Sequence, residues 1–136
     1  MADVSVALEW EQTGLIFRGG AVGGAEVRID GNTQVATSPV QMMMVSLVAC
    51  TAADVVDILQ KMRVPLGGLT VRAEGDRAKE PPRRYTAIRL VYEVTGLDGE
   101  AESRLHRAIQ LSHDKYCSVL HSLRPDIEIR TDVVFH

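Results

Sequence analysis

Two cysteines carry the chemistry this sequence could do. Cys50 stands near the middle of SPVQMMMVSLVACTAADVVDILQKMR, residues 38–63, and Cys117 stands in LSHDKYCSVLHSLRPDIEI, residues 111–129. Neither belongs to a CxxC pair, which argues against thioredoxin-like exchange. The thiolate is the reactive form of cysteine, so the question for each is what would favour it. Cys50 is mid-helix, far from the positive end of the helix dipole, with Asp54 one turn on. A reactive Cys50 therefore needs a cation or hydrogen-bond donor from elsewhere, and Arg18, beside a glycine-rich stretch, is one candidate. Cys117 falls in the first turn of a short helix if Asp114 is its cap, and that helix end would favour the thiolate. On composition alone, the two thiols read either as redox-active or as buried and inert.

Imidazoles near Cys117 offer a second chemistry. His113, Cys117 and His121 recur at i, i+4 and i+8, with His106 earlier. Along one helical face such donors could build a zinc site, with Cys50 as a further ligand. No known zinc spacing is matched, and His121 near a helix end is equally a favourable C-terminal group, so we expect no metal and no cofactor. GxSxG, GxxxxGK[ST] and GxGxxG are all absent. Asp54 and Asp57 are expected on the solvated face of the long helix.

The elements that must position the cysteines follow from periodicity. Ser38 then Pro39 reads as an N-cap and first helical residue, and nothing interrupts the run before Pro65. Val45, Val48, Ala49, Ala52, Val55, Val56, Leu59 and Met62 are expected as its apolar stripe. A second side, Met43, Leu47, Cys50, Asp54, Asp57 and Lys61, is apolar before Cys50 and charged after it. The first half of the helix should thus be buried all round.

Upstream, residues 4–11 alternate as a half-buried strand, 15–18 return, and 25–30 form a third strand after a flexible loop holding Gly19-Gly20 and Gly23-Gly24. Downstream, residues 69–74 and 85–95 alternate as strands, with Ile88, Leu90, Tyr92 and Val94 on one face. Asp98-Gly99 opens a helix, Ser112 or Asp114 caps a shorter one, and Ile127, Ile129 and Val133 mark a last strand. The order β-β-β-α-β-β-α-α-β defines an α+β domain. We expect one domain over residues 1–136.

The chain has 136 residues, 46% of them hydrophobic and 24% charged, as an ordinary soluble domain does. A net charge of −3 without a long basic block argues against nucleic acid as a partner. Gln41, Ser46, Asp54 and Asp57 punctuate the long helix and argue against a membrane span. No basic segment followed by an apolar one opens the sequence, so a cytoplasmic location is expected. A long helix apolar on two sides needs more cover than one small sheet offers, which points to a homodimer.

Residues 38–63 are similar to the central, Pro-led helix of the OsmC/Ohr family, where a cysteine occupies an "ACT"-like setting. Residues 111–129 resemble that family's second-cysteine segment, in the KYCSV form of its OsmC-like branch. The element order agrees as well, so the resemblance covers nearly the whole chain. It implies the OsmC-like fold: an N-terminal three-stranded meander, long central helix, β-hairpin, second helix and terminal strand, as an intertwined homodimer with its sites at the subunit interface. It also implies thiol-dependent reduction of organic hydroperoxides. Cys50 would become a sulfenic acid and Cys117 would condense with it to a disulfide, which a dithiol reductant, in the Ohr branch a lipoylated protein, would reopen. Met43 and Leu47 would line the substrate pocket, with Met42 and Met44 nearby.

The family's peroxidases carry a glutamate ten residues before the helix cysteine, holding an activating arginine. Here that position is Val40, followed by the neutral Gln41, and Arg18 matches the arginine only loosely. Arg18 and Gln41 are accordingly the candidate activating residues. The alternative reading is a non-enzymatic or sensor protein that binds an apolar or electrophilic small molecule at the dimer interface.

Overall fold

The computed structural model describes residues 2–136. The chain forms two compact units, the first ending at Met44 and the second spanning Val45–His136. The first holds an antiparallel meander of β1 (Val6–Trp10), β2 (Ile16–Ala21) and β3 (Glu26–Asp30). Gly19 and Gly20 lie within β2 instead of the expected loop. A Cβ on Gly19 would strike the Ala7 carbonyl of β1, and one on Gly20 the Ala25 carbonyl, so close strand approach explains both glycines. Only Gly23, at φ +77°, serves the turn conformation there. The end of β3 is tied down by Asp30, whose carboxylate accepts from the backbone N–H of Asn32 (2.8 Å), Gln34 (2.9 Å) and Val35 (3.0 Å). These donors, Val35 foremost, hold the Asp30 carboxyl below the usual range.

β1 differs from expectation. Its alternation is real, yet Val6, Leu8 and Trp10 are each more than half exposed in the single chain, so neither face is covered.

α1 runs Pro39–Lys61. Its start is a reciprocal capping box: Ser38 Oγ accepts from the Gln41 N–H (3.1 Å) and Gln41 Oε1 accepts from the Ser38 N–H (3.0 Å). At its other end Lys61 pairs with Asp57 at 2.8 Å, one turn back. The buried line along α1 is Met44, Leu47, Thr51, Val55 and Leu59. It is rotated from the stripe expected on hydrophobicity, because it passes through the polar Thr51. Val45 (46% exposed), Ala49 and Val56 (37% exposed) face outward, so the first half is not buried all round in one chain.

The second unit is built on a three-stranded sheet of order β4-β5-β6, with β4 at Gly68–Arg77, β5 at Tyr85–Thr95 and β6 at Glu128–Phe135. β4 and β5 form the expected hairpin, Val71 opposite Tyr92. β6 lies parallel to β5, Tyr92 opposite Val133. A parallel pair needs a crossover, and the helical segment between the two strands supplies it. Asp98 caps a 3₁₀ turn at Gly99–Ala101 that leads into α2 (Glu102–Leu111). Ile88, Leu90, Tyr92 and Val94 of β5 are buried, as are Leu105, Ala108 and Ile109 of α2. On the opposite face Arg89 bridges Asp132 (2.6 Å) and Glu74 (3.1 Å) across three strands.

The crossover then departs from regular helix. Residues Ser112–Tyr116 form a π-helical turn, closed by the Cys117 N–H on the Ser112 carbonyl at 2.8 Å. Cys117 is extended (φ −73°, ψ 97°), and a short α3 follows at Ser118–Ser122. Neither Ser112 nor Asp114 caps α3; Cys117 does. The wide turn brings Ser112 and Cys117 to the same side, both fully buried.

Candidate active site

Both cysteines are free, Cys50 half-buried on α1 and Cys117 buried at 0% exposure. The two sulfurs and a carboxylate oxygen of Asp54 all lie within 4.8 Å of one another. Asp54 follows Cys50 by one helical turn, so the helix itself stacks carboxylate and thiol on one side. A disulfide would bring the sulfurs from this separation to about 2 Å.

Asp54 is thus not on the solvated face with Asp57. Only Asp57 is exposed, with Lys61 beside it. Asp54 is drawn inward by Ser112 on the π-turn, whose hydroxyl donates to Asp54 Oδ2 at 2.8 Å.

From this contact a chain of hydrogen bonds crosses the second unit. Ser112 Oγ lies 3.0 Å from Thr51 Oγ1, Thr51 Oγ1 lies 2.7 Å from Tyr92 OH, and Tyr92 OH lies 2.8 Å from His113 Nε2. A carboxylate only accepts, so Ser112 donates to Asp54, and the same hydroxyl is directed at Thr51 Oγ1. Tyr92 OH shares its proton with Thr51 Oγ1, and the sense of the Tyr92–His113 bond is set by the imidazole tautomer. Burial supports the neutral members. It pushes the Tyr92 phenol up to about 12, with the Cys117 and Asp54 charges adding to it and Thr51 opposing. It also lowers His113, keeping a neutral imidazole favoured. Among the described residues no buried side-chain polar atom lacks a partner.

Cys117 corrects an expectation. As the cap of α3 its sulfur accepts the Leu120 N–H at 3.5 Å, which favours the thiolate. Burial outweighs that donor, and the nearby Cys50 and Asp54 act with it, so the thiol is pushed up to about 11. Five residues of helix give little dipole, whereas full burial penalises the charge heavily. Cys117 is a protonated thiol at neutral pH.

The remaining predicted residues are placed as follows. Arg18 lies on β2, half-exposed, with Glu9 and Glu26 each at 3.5 Å. Gln41 gives its amide oxygen to the capping box. Leu47 is a core residue at 1% exposure, and Met43 is half-buried. The imidazoles do not line up with Cys117, because the π-turn and the extended Cys117 interrupt the helix. His113 turns to Tyr92, His121 Nε2 donates to the His113 carbonyl at 2.8 Å, and His106 packs edge-on to Phe135. Cys50, Asp54 and Cys117 form a thiol–carboxylate triad with three donor atoms within 4.8 Å of one another, one fewer than a closed structural zinc site uses.

Thr51, Asp54, Tyr92 and Ser112 were missed as site residues. The available signal was polarity on buried periodicity: Thr51 sits between Leu47 and Val55 on the buried line, and Tyr92 sits within the buried face of β5.

A long cysteine-bearing helix over a mixed sheet, with the second thiol supplied by the crossover, is the arrangement of a known family. The family described as OsmC-like protein matches residues 30–132, and the chain belongs to it. It is 37% identical over 123 residues to protein YhfA of Escherichia coli K12, covering 90% of each chain. A crystal structure of a hypothetical protein from Aquifex aeolicus superposes with a TM-score of 0.84 at 26% identity, covering 100% of this chain and 98% of that one. The organic hydroperoxide resistance protein OsmC of Legionella pneumophila, described as a predicted redox protein, shares the fold with a TM-score of 0.67 at 17% identity, over 98% of each chain.

Proposed function

We propose that the protein is a thiol-dependent peroxidase that reduces organic hydroperoxides, within the OsmC-like branch marked by the KYCSV segment. The observation that carries the reading is the pair of free thiols within 4.8 Å of each other, one half-buried and one buried. Cys50, the more accessible, attacks the distal peroxide oxygen. The O–O bond breaks, the alcohol leaves, and Cys50 becomes a sulfenic acid. Cys117 displaces the hydroxyl as water and forms the disulfide, which a dithiol reductant, such as a lipoylated protein, reopens.

The working form is a cytoplasmic homodimer of single OsmC-like domains. The outward apolar residues of α1 and the uncovered β1 favour a second copy as their cover. Arg18 and Gln41 remain the candidate activators of Cys50, and Met43 and Leu47 the candidate lining for an apolar peroxide.

Stopped-flow oxidation of reduced protein by cumene hydroperoxide tests this. The wild type should oxidise to an intramolecular disulfide, Cys50→Ser should be inert, and Cys117→Ser should accumulate a sulfenic acid that dimedone traps. An unreactive wild type, or a Cys50→Ser variant that reacts normally, would refute it and leave small-molecule binding as the better account.

A further inference from the structure

We infer that Asp54 is the proton acceptor for Cys117 when the two cysteines join, a role set by its place beside both sulfurs and at the end of the Ser112–Thr51–Tyr92–His113 chain. The inference rests on the reading above only in giving Cys117 the resolving role.

The need arises from burial. A thiol whose folded environment favours the proton presents a thiolate in only about one molecule in ten thousand at neutral pH, given a pKa of about 11. Cys117 is fully buried, so bulk hydroxide does not reach it readily. The titratable groups around it are Cys50 and Asp54 on α1, Tyr92 on β5, and His113 on the π-turn. Cys50 is the electrophile once oxidised. Tyr92 OH is engaged with both Thr51 and His113, and His113 Nε2 with Tyr92, so neither Tyr92 OH nor His113 Nε2 is open to the thiol proton. Asp54 is the one acceptor-only group of the set, held by the Ser112 hydroxyl. A separation of up to 4.8 Å is spanned by side-chain rotation or one water.

The step balances as follows. The Cys117 thiol proton passes to the Asp54 carboxylate as the sulfur attacks the Cys50 sulfenic sulfur. The S–O bond breaks, and the departing hydroxide takes the proton from Asp54 to leave as water. Cys50 sulfur is reduced from the sulfenic to the disulfide level while Cys117 sulfur is oxidised to it. Ser112 holds the carboxylate in place and, as a donor, stabilises its charge while it waits.

The test avoids peroxide, so that a failure here is distinct from a failure of the peroxidase reading. With dithiobis(nitrobenzoate), Cys50 reacts first and releases one nitrothiobenzoate. Cys117 then attacks the mixed disulfide and releases a second, in a phase independent of reagent concentration. In the wild type that second phase should be flat from about pH 7 to about pH 9. In Asp54→Asn, which keeps an acceptor for Ser112, it should slow at least about tenfold at neutral pH and climb about tenfold per pH unit, following the thiolate fraction. A purely structural role would slow it equally at all pH. Should Asp54→Asn not fold, Asp54→Glu decides, since it must keep the flat profile. A wild-type second phase that climbs with pH, an Asp54→Asn second phase within twofold of wild type, or a climbing profile in Asp54→Glu overturns the inference.

Discussion

Replacing Tyr92 by Phe removes one oxygen and almost no volume, which makes it a clean probe of the buried chain. The oxygen serves two partners, Thr51 at 2.7 Å and His113 at 2.8 Å, in a residue with no exposed surface. Losing both bonds should cost about 1–3 kcal/mol near neutral pH. A second effect opposes this at high pH. The Tyr92 pKa is raised from 10.0 to about 12, so the unfolded chain loses its phenolic proton first. A folded pKa above the unfolded one means that stability is complete below about pH 10 and is lost as pH rises towards about 12. The linkage amounts to about 1.4 kcal/mol by pH 11 and approaches about 2.7 kcal/mol beyond pH 12. The phenylalanine variant has no such loss. Its deficit should therefore shrink by about 1.4 kcal/mol between pH 8 and pH 11. Urea unfolding of both proteins at one fixed protein concentration measures this, and titrating groups that do not interact with Tyr92 cancel in the difference. A neutral-pH deficit below about 0.5 kcal/mol, or a deficit that stays constant to pH 11, would refute the buried chain as drawn.

Three further outcomes concern the buried chain and the capping box of α1. Thr51→Val leaves His113 Nε2 as the acceptor for the Tyr92 O–H, so nitrogen NMR should show the His113 proton on Nδ1 in the variant. Because burial lowers the His113 pKa, the unfolded chain binds that proton first, so stability is complete above about pH 6.5 and falls below it; His113→Gln should flatten that acid limb in urea titrations. Ser38→Ala should cost about 1 kcal/mol, and adding Gln41→Ala should cost less than the sum of the two singles, because both break one capping box; chemical denaturation of the double-mutant cycle checks this.

Much of the architecture was legible because it rests on local signals. Ser38-Pro39 started α1 where expected, the alternation over Tyr85–Thr95 gave β5 its bounds, and Asp98 capped the crossover. The misreadings share one cause: burial cannot be read from hydrophobicity alone. Hydrophobicity leaves the polar Thr51 off the buried line and puts the apolar Val45 and Val56 on it, whereas Thr51 is buried and both valines are exposed. Gly19 and Gly20 read as loop residues because strand pairing, which sets the Ala7 and Ala25 carbonyls against them, is not visible in local composition.

The thiols divide along the same line. By itself the sequence determined that two cysteines outside any CxxC sit on a long helix and at the start of a short one, and that the long helix's dipole does nothing for Cys50. Only the tertiary structure decided that the sulfurs meet, that Asp54 joins them, and that Cys117 keeps its proton. Those outcomes depend on the π-turn at Ser112–Tyr116, which swings Ser112 and Cys117 inward to face α1. A carboxylate one turn from a cysteine looks solvated until a buried hydroxyl, more than fifty residues later, is found to hold it.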